Sequence, residues 1–154
     1  MTQSGHEAPG TRGRAVMSVR WSDVDLFGHV NNAAYLRYLD DARFAIFPAM
    51  GVDETGALTP SGLVVVKHEI DYVSSLTFRP APFAVDVWVS KIGRSSVDFA
   101  YEIVDAADAS TVYLRARSRM VQVDQATLSA RPFTPEERAA FETYLEPGPD
   151  LRGW

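Results

Sequence analysis

The chain has 154 residues, 46% apolar and 23% charged, which suits one globular domain and leaves little room for a second. It has no cysteine, which excludes disulfides, thiolate metal sites and a cysteine nucleophile together. A net charge of −5 disfavours bulk nucleic-acid binding, so an anionic ligand would need a local basic patch. No apolar run approaches the roughly 18 residues of a membrane span, and no signal-peptide core follows Met1, so no membrane role and a cytoplasmic location are expected.

Residues 1–13 are polar and aperiodic and read as a flexible tail ahead of one domain over 14–146. From Ala15 the pattern has period two, with Met17, Val19 and Trp21 on one face, predicting a strand. From Asn32 to Phe47 there is neither glycine nor proline, and Tyr35, Leu36, Leu39, Ala42 and Ile46 recur at helical spacing. Arg37, Asp40 and Asp41 fall on the other side, and Pro48 ends the helix. So apolar a helix needs cover on several sides.

A Gly/Thr/Pro-rich loop over 51–62 precedes four strand-like segments, at 63–73, 83–91, 95–104 and 111–123. His68 lies on the apolar face of the first, where a hydrogen-bonded core histidine is the simpler reading. Arg115, Arg117 and Arg119 stripe the last, as expected of a solvated face. Its apolar face switches near Ser118, which suggests a bulge. Short turns make neighbouring strands antiparallel. Thr134-Pro135-Glu136-Glu137 carries an N-cap, a first-turn proline and a capping-box glutamate, predicting a short helix to about Leu145. The Gly/Pro-rich residues 147–154 are expected to fray. The order is thus strand, helix, four strands, helix: an α+β chain with an antiparallel sheet curved around one long central helix.

There is no GxGxxG, P-loop or GxSxG elbow, and His6, His29 and His68 are too scattered for a zinc motif. The chemistry concentrates in Arg20-Trp21-Ser22-Asp23-Val24-Asp25-Leu26-Phe27-Gly28-His29-Val30-Asn31-Asn32, where the first strand leads into the central helix. A helix N-terminus offers unpaired N–H groups and partial positive charge to an oxygen that becomes anionic. A nearby carboxylate offers a base or nucleophile. A thioester suits such a site, because its thiolate, with a conjugate acid near pKa ~8.5, leaves with little acid assistance. Asp25 and Asp23 are both also good turn and cap residues, and Asp23 is read as the structural one.

The run W-x-D-x-D-x-x-G-H-V-N-N-x-x-Y-x-x-Y-x-x-x-x-R, from Trp21 to Arg43, resembles the hotdog-fold acyl-CoA thioesterases of the 4-hydroxybenzoyl-CoA thioesterase-like group. The resemblance implies hydrolysis of an acyl-CoA (or acyl carrier) thioester, and neither a cofactor nor, from the scattered histidines and missing cysteines, a metal is expected. It also implies a homodimer that completes the active sites, or a dimer-of-dimers tetramer. It places the catalytic carboxylate on Asp25 and the carbonyl-polarising backbone amide on Asn32, with Asn31 and Tyr35 beside it as substrate-binding positions. His29 marks the G-H-V-N-N variant and joins the catalytic set. Some members contact CoA phosphates from the turn between the third and fourth strands, here Lys91 to Ser96, which nominates Arg94 and Ser95. Two other activities remain open on this architecture: an enoyl-thioester hydratase or dehydratase, and a non-catalytic acyl-thioester binding module.

Overall fold

A computed structural model describes residues 12–52 and 61–153. Strand β1 spans Gly13–Met17 and is followed by a 3-10 turn, Trp21–Asp23. The central helix α1, Asn32–Ile46, runs on into a 3-10 turn over Phe47–Met50. Strands β2 (Ser61–Tyr72), β3 (Phe83–Ile92), β4 (Ser96–Asp105) and β5 (Val112–Asp124) follow, and helix α2 (Pro135–Glu142) comes last. The five strands form one antiparallel sheet in the order β1-β3-β4-β5-β2. β2 therefore crosses over to pair with β5, and both β1 and β2 are edges.

The sheet's inner face supplies Val85, Val87, Val89, Phe99, Tyr101, Ile103, Leu114 and Ala116 to a core completed by Tyr35, Tyr38, Leu39, Ala42 and Ile46 of α1. Leu39 and Ala42 have no exposed surface, as a helix wrapped by a curved sheet requires. β1 approaches α1 so closely that a Cβ on Gly13 would lie 2.6 Å from Ile46 Cγ2, which is why glycine stands there.

Several expectations change. The first strand ends at Met17, and Trp21 turns outward at 74% exposure. β5 keeps one inner face through Leu114, Ala116, Ser118, Met120 and Gln122. The register slips are elsewhere: in β2 between Val65 and Lys67, and in β5 itself at Tyr113, between Val112 and Leu114 rather than at Ser118. Ser118 is the polar member of that inner face, and its Oγ lies 2.6 Å from His68 Nδ1. Burial, then the Arg43 charge, holds the His68 pKa below the ordinary histidine value, against the nearby Asp40. Arg43, on α1, is itself buried and donates to the hydroxyl of Tyr101 at 2.8 Å and to Asp40.

On the outer face every member of the arginine stripe meets a carboxylate: Arg115 with Glu102, Arg117 with Glu69, Arg119 with Asp98. Residues 1–11 of the expected tail and 53–60 of the expected loop lie outside the described residues. Arg12 is not tail-like: it bridges Glu102 and Glu146 and stacks 3.7 Å over the Trp88 ring. α2 has its capping box, with Thr134 N–H donating to Glu137 Oε1 at 2.8 Å and Glu137 N–H to Thr134 Oγ1 at 3.2 Å. The chain beyond α2 does not fray. Glu146 N–H donates to the Val89 carbonyl, Trp88 Nε1 to the Pro147 carbonyl, and Arg152 N–H to Asp71 Oδ2, so a ribbon crosses the outer face from β3 to β2. Among the described residues no helix is long and apolar enough to cross a membrane.

Candidate active site at the helix N-terminus

Between the first 3-10 turn and α1 the chain makes a miniature hairpin. Val24 pairs with Val30, Asp25 N–H donates to the His29 carbonyl at 2.9 Å, and Gly28 N–H donates to the Asp25 carbonyl at 3.1 Å. Gly28 takes φ +75°, the left-handed conformation that closes a three-residue hairpin loop. D-x-x-G is therefore a turn signature as well as a chemical one. Asp25 Oδ1 accepts from the N–H of Phe27 at 2.9 Å and of His29 at 3.4 Å. Those amides fix the carboxylate, while its second oxygen has no protein donor among the described residues and the residue is exposed.

Asp23, two positions earlier, is spent on the scaffold. It is 5% exposed and accepts from Arg20 N–H at 3.1 Å and from the Tyr38 hydroxyl at 2.6 Å, with Arg37 at 3.5 Å. Burial alone would raise its pKa, but the bonds from Tyr38 and Arg20 and the charges of Arg20 and Arg37 outweigh it and hold the carboxyl below its usual value. Its backbone carbonyl accepts from Asn31 N–H at 2.8 Å, tying the hairpin to the start of α1.

At that start Asn31 is the N-cap, its side chain accepting from Ala33 N–H at 2.9 Å, and Ala34 N–H donates to the Asn31 carbonyl. Asn32 is an exposed residue, and its N–H has no acceptor among the described residues. It is the one first-turn donor left open at the electropositive end of a 15-residue helix. His29 is exposed, and its side chain makes no hydrogen bond among the described residues; its backbone meets Asp25 and bridges Thr77. Tyr35 is buried, its hydroxyl accepting from Leu76 N–H at 3.3 Å and its ring against Tyr72. Burial pushes that hydroxyl's pKa up, against the Leu76 bond, and the nearby Tyr72 and Asp25 add to it. Tyr35 therefore underlies the Asp25 loop from within.

The structure thus gathers Asp25, His29, Asn31 and Asn32 at one tip, over Tyr35. It does not bring Arg94 and Ser95 there. They sit in the β3–β4 turn, where the Ser95 carbonyl accepts from Gln122 N–H, whereas the Asp25 loop borders Leu76 and Thr77, just beyond the Tyr72 end of β2. Between Val121, which pairs with Ser96, and Leu114, which pairs with Tyr72, seven residues of β5 span about 23 Å.

The other end of α1 holds a half-open cavity of about 650 Å³, lined by Phe44, Phe47, Met50, Leu63, Met120 and Phe141 among others. No sequence signal marked it, because its walls come from four separate segments. Arg43, at its rim, was likewise missed, since a helical arginine reads as surface.

A family model described as the thioesterase-like superfamily matches residues 19–141. The PA2801 protein of Pseudomonas aeruginosa, a thioesterase candidate, is 31% identical, with a TM-score of 0.74 over 82% of this chain and 95% of that one. A Thermus thermophilus thioesterase solved with coenzyme A and zinc has the same fold, at 23% identity and a TM-score of 0.74 over 88% of this chain and 94% of that one. YsmA, an uncharacterized protein of Bacillus subtilis, is 27% identical over 122 residues, 79% of this chain and 80% of its own. With the five-stranded curved sheet around α1, these matches make the chain a hotdog-fold member of the thioesterase-like superfamily.

Proposed function

We propose that the protein hydrolyses an acyl-CoA thioester to the free acid and CoA, with Asp25 as base or nucleophile and the Asn32 N–H as oxyanion donor. One observation carries this reading: an anchored carboxylate with an open oxygen stands in the loop leading to a helix whose first N–H is unpaired. Asp25 either removes a proton from water as it attacks the carbonyl, or attacks directly and is released by water. In both routes negative charge develops on the carbonyl oxygen, where a preorganised donor stabilises it most. The C–S bond then breaks and CoA leaves as thiolate. The coenzyme A bound to the Thermus relative supports the choice of carrier.

A second copy completes the molecule. β2 is a 12-residue edge whose Val64, Val65 and Val66 are 44%, 37% and 56% exposed, a row of unpaired backbone and apolar side chains suited to another strand. Two copies joined there make a homodimer, which can pair again into a tetramer. Arg94 and Ser95 then serve as CoA contacts for the Asp25 of the other copy. The working location is the cytoplasm.

The test is Asp25→Asn, checked for folding by circular dichroism. Turnover of the best acyl-CoA should fall roughly 10²- to 10⁴-fold. Survival within a few-fold removes Asp25 from the chemistry. Water addition to enoyl-CoA without thiol release would replace hydrolysis by hydration, with the exposed His29 as Asp25's partner.

A further inference from the structure

Trp21 opens the 3-10 turn ahead of the Asp25 hairpin, and it is 74% exposed. Phe78, 48% exposed, braces it edge to face, with ring centres 5.3 Å apart and planes at 88°. That contact steadies the indole without covering it, whereas Trp88 is wholly buried. Large apolar rings held together in water mark a place where something else lies on them.

The same turn gathers positive charge. Arg37, in the second turn of α1, has a side chain 64% exposed and meets Asp23 only at 3.5 Å, beyond an ordinary N–H···O bond. The charge of Arg20, also an exposed residue, acts on that carboxylate too. Asp23 is meanwhile occupied by the Tyr38 hydroxyl and the Arg20 N–H. Two forked guanidinium groups therefore share one nearly buried carboxylate, and their remaining donors suit an outside anion.

We infer that Trp21, Arg20 and Arg37 form a nucleotide subsite for the CoA carrier, in which adenine stacks on Trp21 and the arginines hold phosphate. The inference rests on the acyl-CoA reading above and adds where the carrier's nucleotide docks. It also favours CoA over an acyl carrier protein, whose phosphopantetheine arm has no base. Arg94 and Ser95 of the opposite copy can contact phosphate, but their turn, Lys91 to Ser96, has no aromatic residue to carry a base. Every base presents a π-face to an aromatic side chain, and a guanidinium matches phosphate with two parallel N–H bonds. Four residues of extended chain, about 14 Å, is the most that can separate Trp21 from Asp25. An extended pantetheine arm is longer than that, so the thioester can reach Asp25 while the base lies on Trp21. The His29 backbone bridges Thr77, the residue before Phe78, which ties the ring pair to the Asp25 loop.

The experiment titrates the full-length protein with adenosine 3′,5′-bisphosphate, the nucleotide end of CoA, by isothermal calorimetry. Trp21→Leu keeps apolar bulk against Phe78 but loses the ring face, and should weaken binding on the order of tenfold. Trp21→Phe should recover most of that loss. Arg20→Gln combined with Arg37→Gln should weaken binding at least as much and flatten its dependence on salt. In turnover, the wild type should prefer acetyl-CoA to S-acetylpantetheine through KM, and Trp21→Leu should shrink that kcat/KM ratio on the order of tenfold. A wild type that binds no nucleotide at millimolar concentration overturns the subsite, as does a substrate ratio unmoved by these variants. If Trp21→Leu instead converts a dimer to monomers in size-exclusion chromatography, the ring belongs to an interface and the assignment falls. A wild type that binds the nucleotide through Trp21 yet cleaves no thioester upholds the subsite and overturns the proposed function.

Discussion

The two ends of α1 are built from opposite materials. At the N-terminal end Asp23, Asn31, Tyr38 and Arg20 form a hydrogen-bonded frame that leaves Asp25 and the Asn32 N–H outside it. At the C-terminal end Phe47, Met50 and Phe141 enclose volume, with Arg43 and Glu137 held by hydrogen bonds around them. The first end fixes directions and the second fixes a shape. A hydrogen-bonded frame depends on where a few atoms point, whereas an apolar-walled cavity depends on space, so the two ends tolerate different substitutions.

The largest expected effect separates them by volume. Phe47→Ala removes a 6% exposed ring that packs on Phe99 at 5.6 Å, and should cost about 3–4 kcal/mol in chemical denaturation. If the remaining folded protein keeps its kcat on acetyl-CoA, the ends are separable; a parallel loss of kcat would break the distinction. Next comes Asp23→Ala, which strands the Tyr38 hydroxyl and the Arg20 N–H. About 2–3 kcal/mol should be lost, together with kcat, because Asp23 also fixes the strand leading to Asn31. Asn31→Ala should cost about 1 kcal/mol by freeing the Ala33 N–H, and Asn31→Gly less. Two open amides instead of one would blur the oxyanion site, seen as a lower kcat at unchanged KM.

The smallest effect is a pH dependence beside the cavity. The hydrogen bond from Arg131, opposed by burial and helped by the Thr134 N–H, lowers the Glu137 pKa from 4.5 to about 2. A carboxylate depressed by folding stabilises above its unfolded value and loses that contribution as pH falls through its folded value. Between pH 4.5 and 2 the wild type should therefore lose stability relative to Glu137→Gln. With both partners about a third exposed, roughly 1 kcal/mol is expected from melting temperatures across that window.

The N-terminal end was legible because its signals are local. D-x-x-G dictates a hairpin turn, N-N dictates a cap, and the residues proposed to do chemistry lie within eight positions of one another. The helix of α1, the strand order of events along the chain and the Thr134 capping box were readable for the same reason. What was hidden depends on distant partners. Arg43 is buried because Tyr101, 58 residues away, accepts from it. The slip at Val66 could not be placed from β5 alone, since a register belongs to two strands. The separation of Arg94 from Asp25 follows only from the sheet order, which alternation cannot reveal.

The ribbon after α2 has a practical consequence. Of the two tryptophans described, Trp21 is already wet, whereas Trp88 is wholly covered, with Arg12 over its face and the Pro147 carbonyl on its indole nitrogen. Peeling the carboxyl end from the sheet would bare that indole before the core opened, so its fluorescence is a built-in gauge of detachment. A tag or fusion attached at that end pulls on the same anchorage, and the same fluorescence reports whether it holds.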